Sequence, residues 1–408
     1  MPTMEYKPRS TAVMLTVTGV VLVAMLVVSV LVVGVRRYLA PLPPVQFEQA
    51  ELPSQVAGSS PAVAWPARGS AAVLIEGIGI IGVHADDKPR PLASVVKVMT
   101  ALVILEAHPL RSGEKGPTVK ITAADVAAYR AAVADDQSAV LVVDGQGLTE
   151  YQLLEGLLLP SANNFADILA RWDAGSTRSF ADKMNARAAA LGMTDTRYVD
   201  PSGNDPASTG TARDQLLLAQ AAMRNEIFAE IVALPQTVLP AVGTVYNVNA
   251  LIGSGGIIGV KTGSGPEAGG CFVVAANATV GGQPVRVFGA VLGTPLLSDA
   301  FRASQELIKA AIAAPRDVQV VAPGQQVGEL TTAWGARVPV VAASSASVPA
   351  WGGLPLRTEV AVTPPASGTA VGATVGTLVV EVGPSKRSVS VQTAETLGGP
   401  GWWWRLTR

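Results

Sequence analysis

The sequence predicts an α/β chain of the α+β kind: a sheet covered by helices with a helical insertion, a small β domain after it and a transmembrane helix before it. Three observations carry that expectation. Strand patterns at 71–83 and 259–293 enclose a long run of helical spacing, and one more helix follows them. After Pro315 the helical signal stops and short strands recur at turn-rich intervals. Ahead of everything stand 25 uncharged residues, Thr11 to Val35.

That apolar run exceeds the ~20 residues that cross a bilayer. It is longer than the apolar core of a cleaved leader, and no small-x-small cleavage site follows it. It reads as an uncleaved anchor, 11–35, behind a short tail, 1–10. Lys7 and Arg9 before it balance Arg36 and Arg37 after it, so charge does not set its orientation. Residues 36–66, with Pro41, Pro43, Pro44, Pro53, Pro61 and Pro66, read as an extended tether. "AAVLIEGIGIIGV" (71–83) contains Gly77, Gly79 and Gly82 in a G-x-G-x-x-G, but "HADDKPRP" follows instead of a helix. A hairpin is expected and a dinucleotide site is excluded. His84, near Asp86 and Asp87, reads as part of a hairpin or turn of solvated polar residues.

Helical spacing runs from Pro91 to about Glu106, then through 151–160, 163–172, 180–193 (closing at Gly192) and 211–223, where Thr211 suits an N-cap. Glycine-bounded strands follow at 259–263, 269–277 and 284–293, and a helix at 299–314 completes a catalytic unit spanning 67–314. The β domain takes 315–398. The tail, 399–408, places Trp402, Trp403 and Trp404 beside Arg405 and Arg408, which suits either a membrane-interface contact or packing on the β domain.

With 408 residues, 49% of them hydrophobic and 15% charged, two or three folded units and a large core are expected. The net charge of −1 without a basic block gives nucleic-acid binding no support. The single Cys271 rules out an intrachain disulfide or a cysteine-zinc cluster and reads as a core thiol. Two histidines, His84 and His108, argue against a Ser-His-Asp triad and against a histidine-rich metal site.

"PLASVVKVMT" (91–100) sets Ser94 three residues before Lys97 in an apolar run. On a helix the pair shares a face. An amine among Val95, Val96, Val98 and Met99 loses its proton more readily and becomes a base beside a hydroxyl. A second Ser-x-x-Lys, Ser112 to Lys115, lies with Gly113, Gly116 and Pro117 in a solvated turn. Two downstream segments complete the first copy. "LLLPSANNFA" supplies Ser161-Ala162-Asn163, 67 residues after Ser94, and "GVKTG" supplies Lys261-Thr262-Gly263, 100 residues further on. Ser202-Gly203-Asn204 is a rival Ser-x-Asn, set aside because it lies in a Pro/Gly-rich loop rather than between helices.

Ser-x-x-Lys, Ser-x-Asn and Lys-Thr-Gly in that order form the signature of serine acyl-enzymes acting on D-alanyl peptides and β-lactams. Through "LASVVKVMTA", "LLLPSANNFADILA", "MNARAAALGMTDTRYVDPSG", "STGTARD" and "GVKTGSGPEAGGCFVVAA", residues 65–314 resemble the D-alanyl-D-alanine carboxypeptidases, low-molecular-weight penicillin-binding proteins of serine peptidase family S11. The resemblance implies a β-lactamase/transpeptidase-like sheet flanked by helices, an α-helical subdomain with the active site between them, and a C-terminal β-sandwich-like domain. It implies Ser94 as nucleophile, Lys97 as general base and Ser161 as proton relay toward the leaving amine. Asn163 orients Lys97 and binds substrate backbone. Lys261 and Thr262 receive the terminal carboxylate, Gly263 permits close approach, and the N–H groups of Ser94 and Ser264 form the oxyanion hole. No metal or organic cofactor is required. The implied partners are the peptidoglycan stem peptide ending in D-Ala-D-Ala and β-lactam antibiotics, besides the membrane, and the implied location is the outer side of the cell membrane.

Four departures stand out: Val96 for threonine, Asn164 for aspartate, Gly265 for threonine, and no assigned counterpart of a pocket arginine, although Arg302 lies near in sequence. Asn247 and Asn249 suit either a cleft floor or a turn. Two rivals remain at this stage. A β-lactamase would need a dedicated glutamate on a loop to activate water, whereas Glu226 and Glu230 fall on an apparent helix; a weakly catalytic penicillin-binding scaffold would keep the fold without turnover.

Overall fold

The computed structural model describes residues 10–84, 88–280 and 282–408. Asp86, Asp87 and the N-terminal residues 1–9 lie outside the described residues. A helix, Ser10–Leu39, opens the structure, its window from Met14 to Leu39 fully unburied and apolar enough to cross a membrane.

The central sheet has five antiparallel strands in the order Ile257–Gly265, Gly269–Val280, Gln283–Thr294, Ser70–Ile75, Gly79–His84. The expected hairpin at 71–83 is its far edge, and the Lys-Thr-Gly strand is the near edge. Strand side chains alternate between faces, and the core divides accordingly. Val273, Ala275 and Phe288 join a cluster with the helices Lys97–Ala107 and Ala212–Ala222. Phe272, Val274 and Val287 join another with Leu307, Ile308 and Ala311 of the helix Leu297–Ala313. The helical subdomain comprises Ala123–Ala134, Glu150–Leu158, Asn163–Ala174, Thr177–Ala190 and Glu226–Val232. Thr211 does cap its helix, accepting from the Asp214 N–H.

Several local expectations are corrected. Residues 91–106 are not one α-helix: a 3₁₀ turn, Ala93–Val96, precedes the α-helix Lys97–Ala107, and Ala93 adopts φ 47°. Three residues per 3₁₀ turn still stack i over i+3, so Ser94 and Lys97 stay together. The helix Ala123–Ala134 has no counterpart in the periodicity, although Thr122 and Asp125 cap it reciprocally.

The proline-rich segment is not a free spacer. Gln46–Gln49 pairs with Gly328–Thr331, and Val56 exchanges backbone bonds with Leu354 and Gly353 at 2.9 and 2.8 Å. Val45 and Val56 are buried, so apolar residues between the prolines bind the segment to the β domain as an edge strand. That domain is a six-stranded sheet, Gln46–Gln49, Gln326–Thr331, Arg337–Ala342, Ser385–Thr393, Thr374–Val382, Arg357–Val362, with the ribbon Arg316–Val321/Ala346–Ala350 beside it. The tryptophan tail is a helix, Trp402–Thr407.

Candidate active site

Three segments far apart in sequence converge at one mouth of the catalytic unit. The 3₁₀ turn carries half-exposed Ser94, and the following α-helix begins with Lys97, which has no exposed surface. Lys97 Nζ lies 2.8 Å from Ser94 Oγ, 2.6 Å from Asn163 Oδ1 and 2.7 Å from the Ser202 carbonyl oxygen. Burial holds its pKa well below the usual lysine value; Lys261 reinforces the shift, while Asp200 and Asp167 oppose it less strongly. Removal of the ammonium from water dominates, and the product is an amine able to accept the Ser94 proton.

Asn163 begins the helix Asn163–Ala174, its Nδ2 donating to Gln137 Oε1 at 3.0 Å and its N–H to the Ser138 carbonyl at 2.8 Å. Ser161 sits in the preceding turn at φ 69°, 4% exposed, and its hydroxyl has no hydrogen-bond partner among the described residues. Asn164 is buried in the same turn: Oδ1 accepts from the Val140 N–H at 3.1 Å and Nδ2 donates to the Val140 carbonyl at 2.8 Å. That pair ties the loop carrying Gln137 to the helix carrying Asn163.

Lys261 and Thr262 are buried on the edge strand, and Lys261 Nζ donates to the Thr262 carbonyl at 3.2 Å. Burial lowers the Lys261 pKa to about 7. Gly263 lies flat against the Ser94 turn: a Cβ there would stand 3.0 Å from the Leu92 oxygen and 3.1 Å from the Ser94 nitrogen. Ser264 pairs with Gly270 and lines the open cleft, about 290 Å³, with Ser94, Gln137, Asn163, Asn204 and Glu267. A larger crevice, about 1000 Å³, between the central sheet and the β domain contains none of the motif residues.

The loop set aside as a rival serine motif proves part of the site through its backbone. Ser202 Oγ donates to Asp200 Oδ2 at 2.7 Å, while its carbonyl accepts from Lys97 Nζ. Asp200 also accepts from Ser208 Oγ at 2.6 Å and the Asn204 N–H at 2.9 Å. Gly203, at φ 75°, abuts Ala93 so closely that a Cβ would collide with its carbonyl. Arg302 is absent from the cleft lining; exposed, it pairs with Asp299 at 3.5 Å. Asn247 and Asn249 cap turns, Asn247 Nδ2 donating to Val232 and Leu234 carbonyls and Asn249 Oδ1 accepting from the Leu251 N–H. Glu230 accepts from the Tyr151 hydroxyl at 2.7 Å, and neither it nor Glu226 lines the cleft. Cys271 is fully buried, its thiol pushed up to about 11 by burial. Ser112 and Lys115 are exposed, Lys115 lying over the Tyr151 ring.

A helix-flanked antiparallel sheet with a serine, a buried lysine and a lysine-bearing edge strand at one mouth defines the active-serine D,D-peptidase class. The chain belongs to serine peptidase family S11, D-alanyl-D-alanine carboxypeptidase, whose model matches residues 64–295. It is 36% identical over 195 residues to D-alanyl-D-alanine carboxypeptidase DacB2 of Mycobacterium tuberculosis, covering 47% of this chain and 62% of that protein. It is 35% identical over 239 residues to the D-alanyl-D-alanine carboxypeptidase of Streptomyces sp. K15, covering 54% and 77%. The crystal structure of the Streptomyces K15 DD-transpeptidase superposes with a TM-score of 0.54 at 30% identity, over 62% of this chain and 99% of that one. Penicillin binding protein 5 of Haemophilus influenzae, at 19% identity and a TM-score of 0.58, spans 84% of this chain and shares the fold.

Proposed function

We propose that the chain is a serine-type D-alanyl-D-alanine carboxypeptidase that removes the terminal D-alanine of peptidoglycan stem pentapeptides and is acylated by β-lactams. The carrying observation is the cage around Lys97 Nζ: Ser94 Oγ, Asn163 Oδ1 and the Ser202 carbonyl, all without exposed charge. In this reading Ser94 Oγ attacks the carbonyl of the penultimate D-alanine and its proton passes to Lys97. Ser161 delivers a proton to the departing D-alanine nitrogen, and water then hydrolyses the ester. The N–H groups of Ser94 and Ser264 stabilise the oxyanion. Lys261 and Thr262 take the terminal carboxylate, Asn163 the peptide backbone, and Gly263 leaves room beside the edge strand. The helix Ser10–Leu39 serves as a membrane anchor with the catalytic unit outside, where the stem peptide lies.

The test is to label the detergent-solubilised full chain with a fluorescent penicillin, map the adduct and assay D-alanine release from a stem pentapeptide. Label on Ser94, lost in Ser94→Ala with the thermal midpoint kept, together with D-alanine release, supports the reading. A folded chain that neither takes label nor releases D-alanine overturns it.

A further inference from the structure

The last four carbonyls of an α-helix have no partner within it, and basic side chains can supply one. At the end of Ser10–Leu39 two of them, Arg37 and Tyr38, and two carbonyls just beyond, Ala40 and Pro41, meet side chains from the other end of the chain. Arg405 Nη1 donates to the Tyr38 carbonyl at 3.2 Å, with its guanidinium over the Tyr38 ring. Arg408 donates to the carbonyls of Pro41 at 3.1 Å, Arg37 at 3.0 Å and Ala40. Arg37 returns a bond to the Leu406 carbonyl at 3.5 Å, and Leu406 Cδ2 stands 3.6 Å from where a Cβ on Gly34 would be. On its other side the tail helix meets the β domain: Trp404 packs edge-on against Trp334, whose Nε1 donates to the Gly398 carbonyl at 2.9 Å.

Trp404 thus has a protein partner, whereas Trp402 and Trp403 are 66% and 64% exposed and touch each other edge to face. Their position indicates what covers them. A helix rising 1.5 Å per residue from Met14 to Leu39 is roughly 39 Å long, against a hydrocarbon core of about 30 Å, so its final turns extend into the headgroup layer. That layer is where indole rings, apolar in body with one N–H donor, are most stable. Arg36 and Arg37 at the same level add positive charge suited to lipid phosphates.

We propose that the tail helix is an interfacial clamp: it caps the outer end of the anchor and lays Trp402 and Trp403 into the headgroup boundary of the bilayer that the anchor crosses. This rests on the anchor reading above and is independent of the chemistry at Ser94. Two attachment points, one through the strand Gln46–Gln49 and one through Trp404, fix the β domain at the membrane surface and with it the height of the cleft.

The experiment reconstitutes the full chain into phosphatidylcholine/phosphatidylglycerol vesicles carrying bromine near the headgroup end of the acyl chains. Tryptophan quenching is compared between the native chain and Trp402→Ser/Trp403→Ser, with the thermal midpoint as the check on folding. Quenching in the native chain that falls several-fold in the variant supports the clamp. In a second arm, Gly34→Cys/Leu406→Cys is treated with a short bis-maleimide; Cys271 is buried and does not compete. An intramolecular cross-link supports the docking, and its absence in folded, membrane-integral protein overturns it. Equal quenching in both chains, with the protein resisting alkaline carbonate, overturns the clamp alone. Release by carbonate overturns the anchor and the clamp together.

Discussion

Lys97 Nζ lies 2.6 Å from Asn163 Oδ1, a contact that closes a 66-residue loop and ties the sheet-packed helix to the helical subdomain. The two residues share one small cage with the Ser94 hydroxyl, so changes at either separate chemistry from folding. Lys97→Met removes a buried amine without exposing a core. Its expected result is a penicillin acylation rate lower by ~10²–10⁴, the range of general-base catalysis, with no fall in thermal midpoint. Lys97→Arg is expected to fail as completely, because a guanidinium stays protonated. Asn163→Ala loses one hydrogen bond at the neutral lysine, about 0.5–1.5 kcal/mol, and acylation slows by roughly 2–10-fold. Stopped-flow acylation measured beside calorimetry distinguishes the three variants.

The two buried lysines predict opposite limbs in a pH profile. In the proposed mechanism Lys97 must be neutral to act, so acylation is expected to rise with pH through its lowered pKa. In the same mechanism Lys261 must be charged to attract the carboxylate, so acylation by a carboxylate-bearing penicillin is expected to fall above about pH 7. The second-order rate constant reports the free enzyme, and a bell is expected. Lys261→Met is expected to be slower at every pH below 7 and to lose the falling limb while keeping the rising one. Stability gives an independent check. An unfolded chain keeps the Lys261 proton up to about 10.5, while the folded chain releases it near 7. Between those values the unfolded state binds more protons, so stability rises with pH. Lys261→Met is therefore expected to stabilise most at pH 6 and least at pH 10 in urea titrations.

Gly203 predicts that backbone alone can disable the site. It occupies φ 75° and touches Ala93, the residue before Ser94. A methyl group there has both the left-handed conformation, costing about 1–2 kcal/mol, and a collision with the Ala93 carbonyl. Gly203→Ala should lower the thermal midpoint by several degrees and nearly abolish penicillin labelling. Gly113→Ala is the control: its φ is 83° with open space around the new Cβ, so it loses midpoint modestly and labels normally.

That pair of glycines also marks what the sequence made legible. In the proposed mechanism Ser94, Lys97, Asn163 and Lys261 act through side-chain chemistry, which few residue types can supply, so fixed spacings reveal them. Ser202 acts through its carbonyl and Gly203 through its dihedral angle, and any loop sequence can hide such roles. Gln137 is visible only once the Val140–Asn164 pair has brought its loop to Asn163. The strand Gln46–Gln49 and the helix Trp402–Thr407 are too short to declare themselves by periodicity, because each depends on a partner hundreds of residues away. By contrast, the long sheet strands and the helices Ala212–Ala222 and Leu297–Ala313 carry their own amphipathic pattern and were readable from it.

Asn164 predicts a pH-dependent loss when an aspartate takes its place. The Asn164 amide meets both polar groups of Val140: its oxygen takes the N–H, and its nitrogen donates to the carbonyl at 2.8 Å. In Asn164→Asp a carboxylate oxygen faces that carbonyl in a site only 3% exposed. An unpaired buried group costs about 1–3 kcal/mol, and repulsion raises the pKa of the new carboxyl in the folded state. The folded chain then binds more protons than the unfolded one above the ordinary aspartate range, so stability is lost as pH rises through that window. At lower pH the protonated oxygen can donate to Val140 and restore the pair. The expected result is a midpoint deficit against the native chain that is full at pH 8 and shrinks toward pH 5. Acylation should fall with it, because the loop that loosens carries Gln137, the partner of Asn163. A deficit unchanged between these pH values would mean that the Val140 carbonyl is not what the Asn164 amide serves.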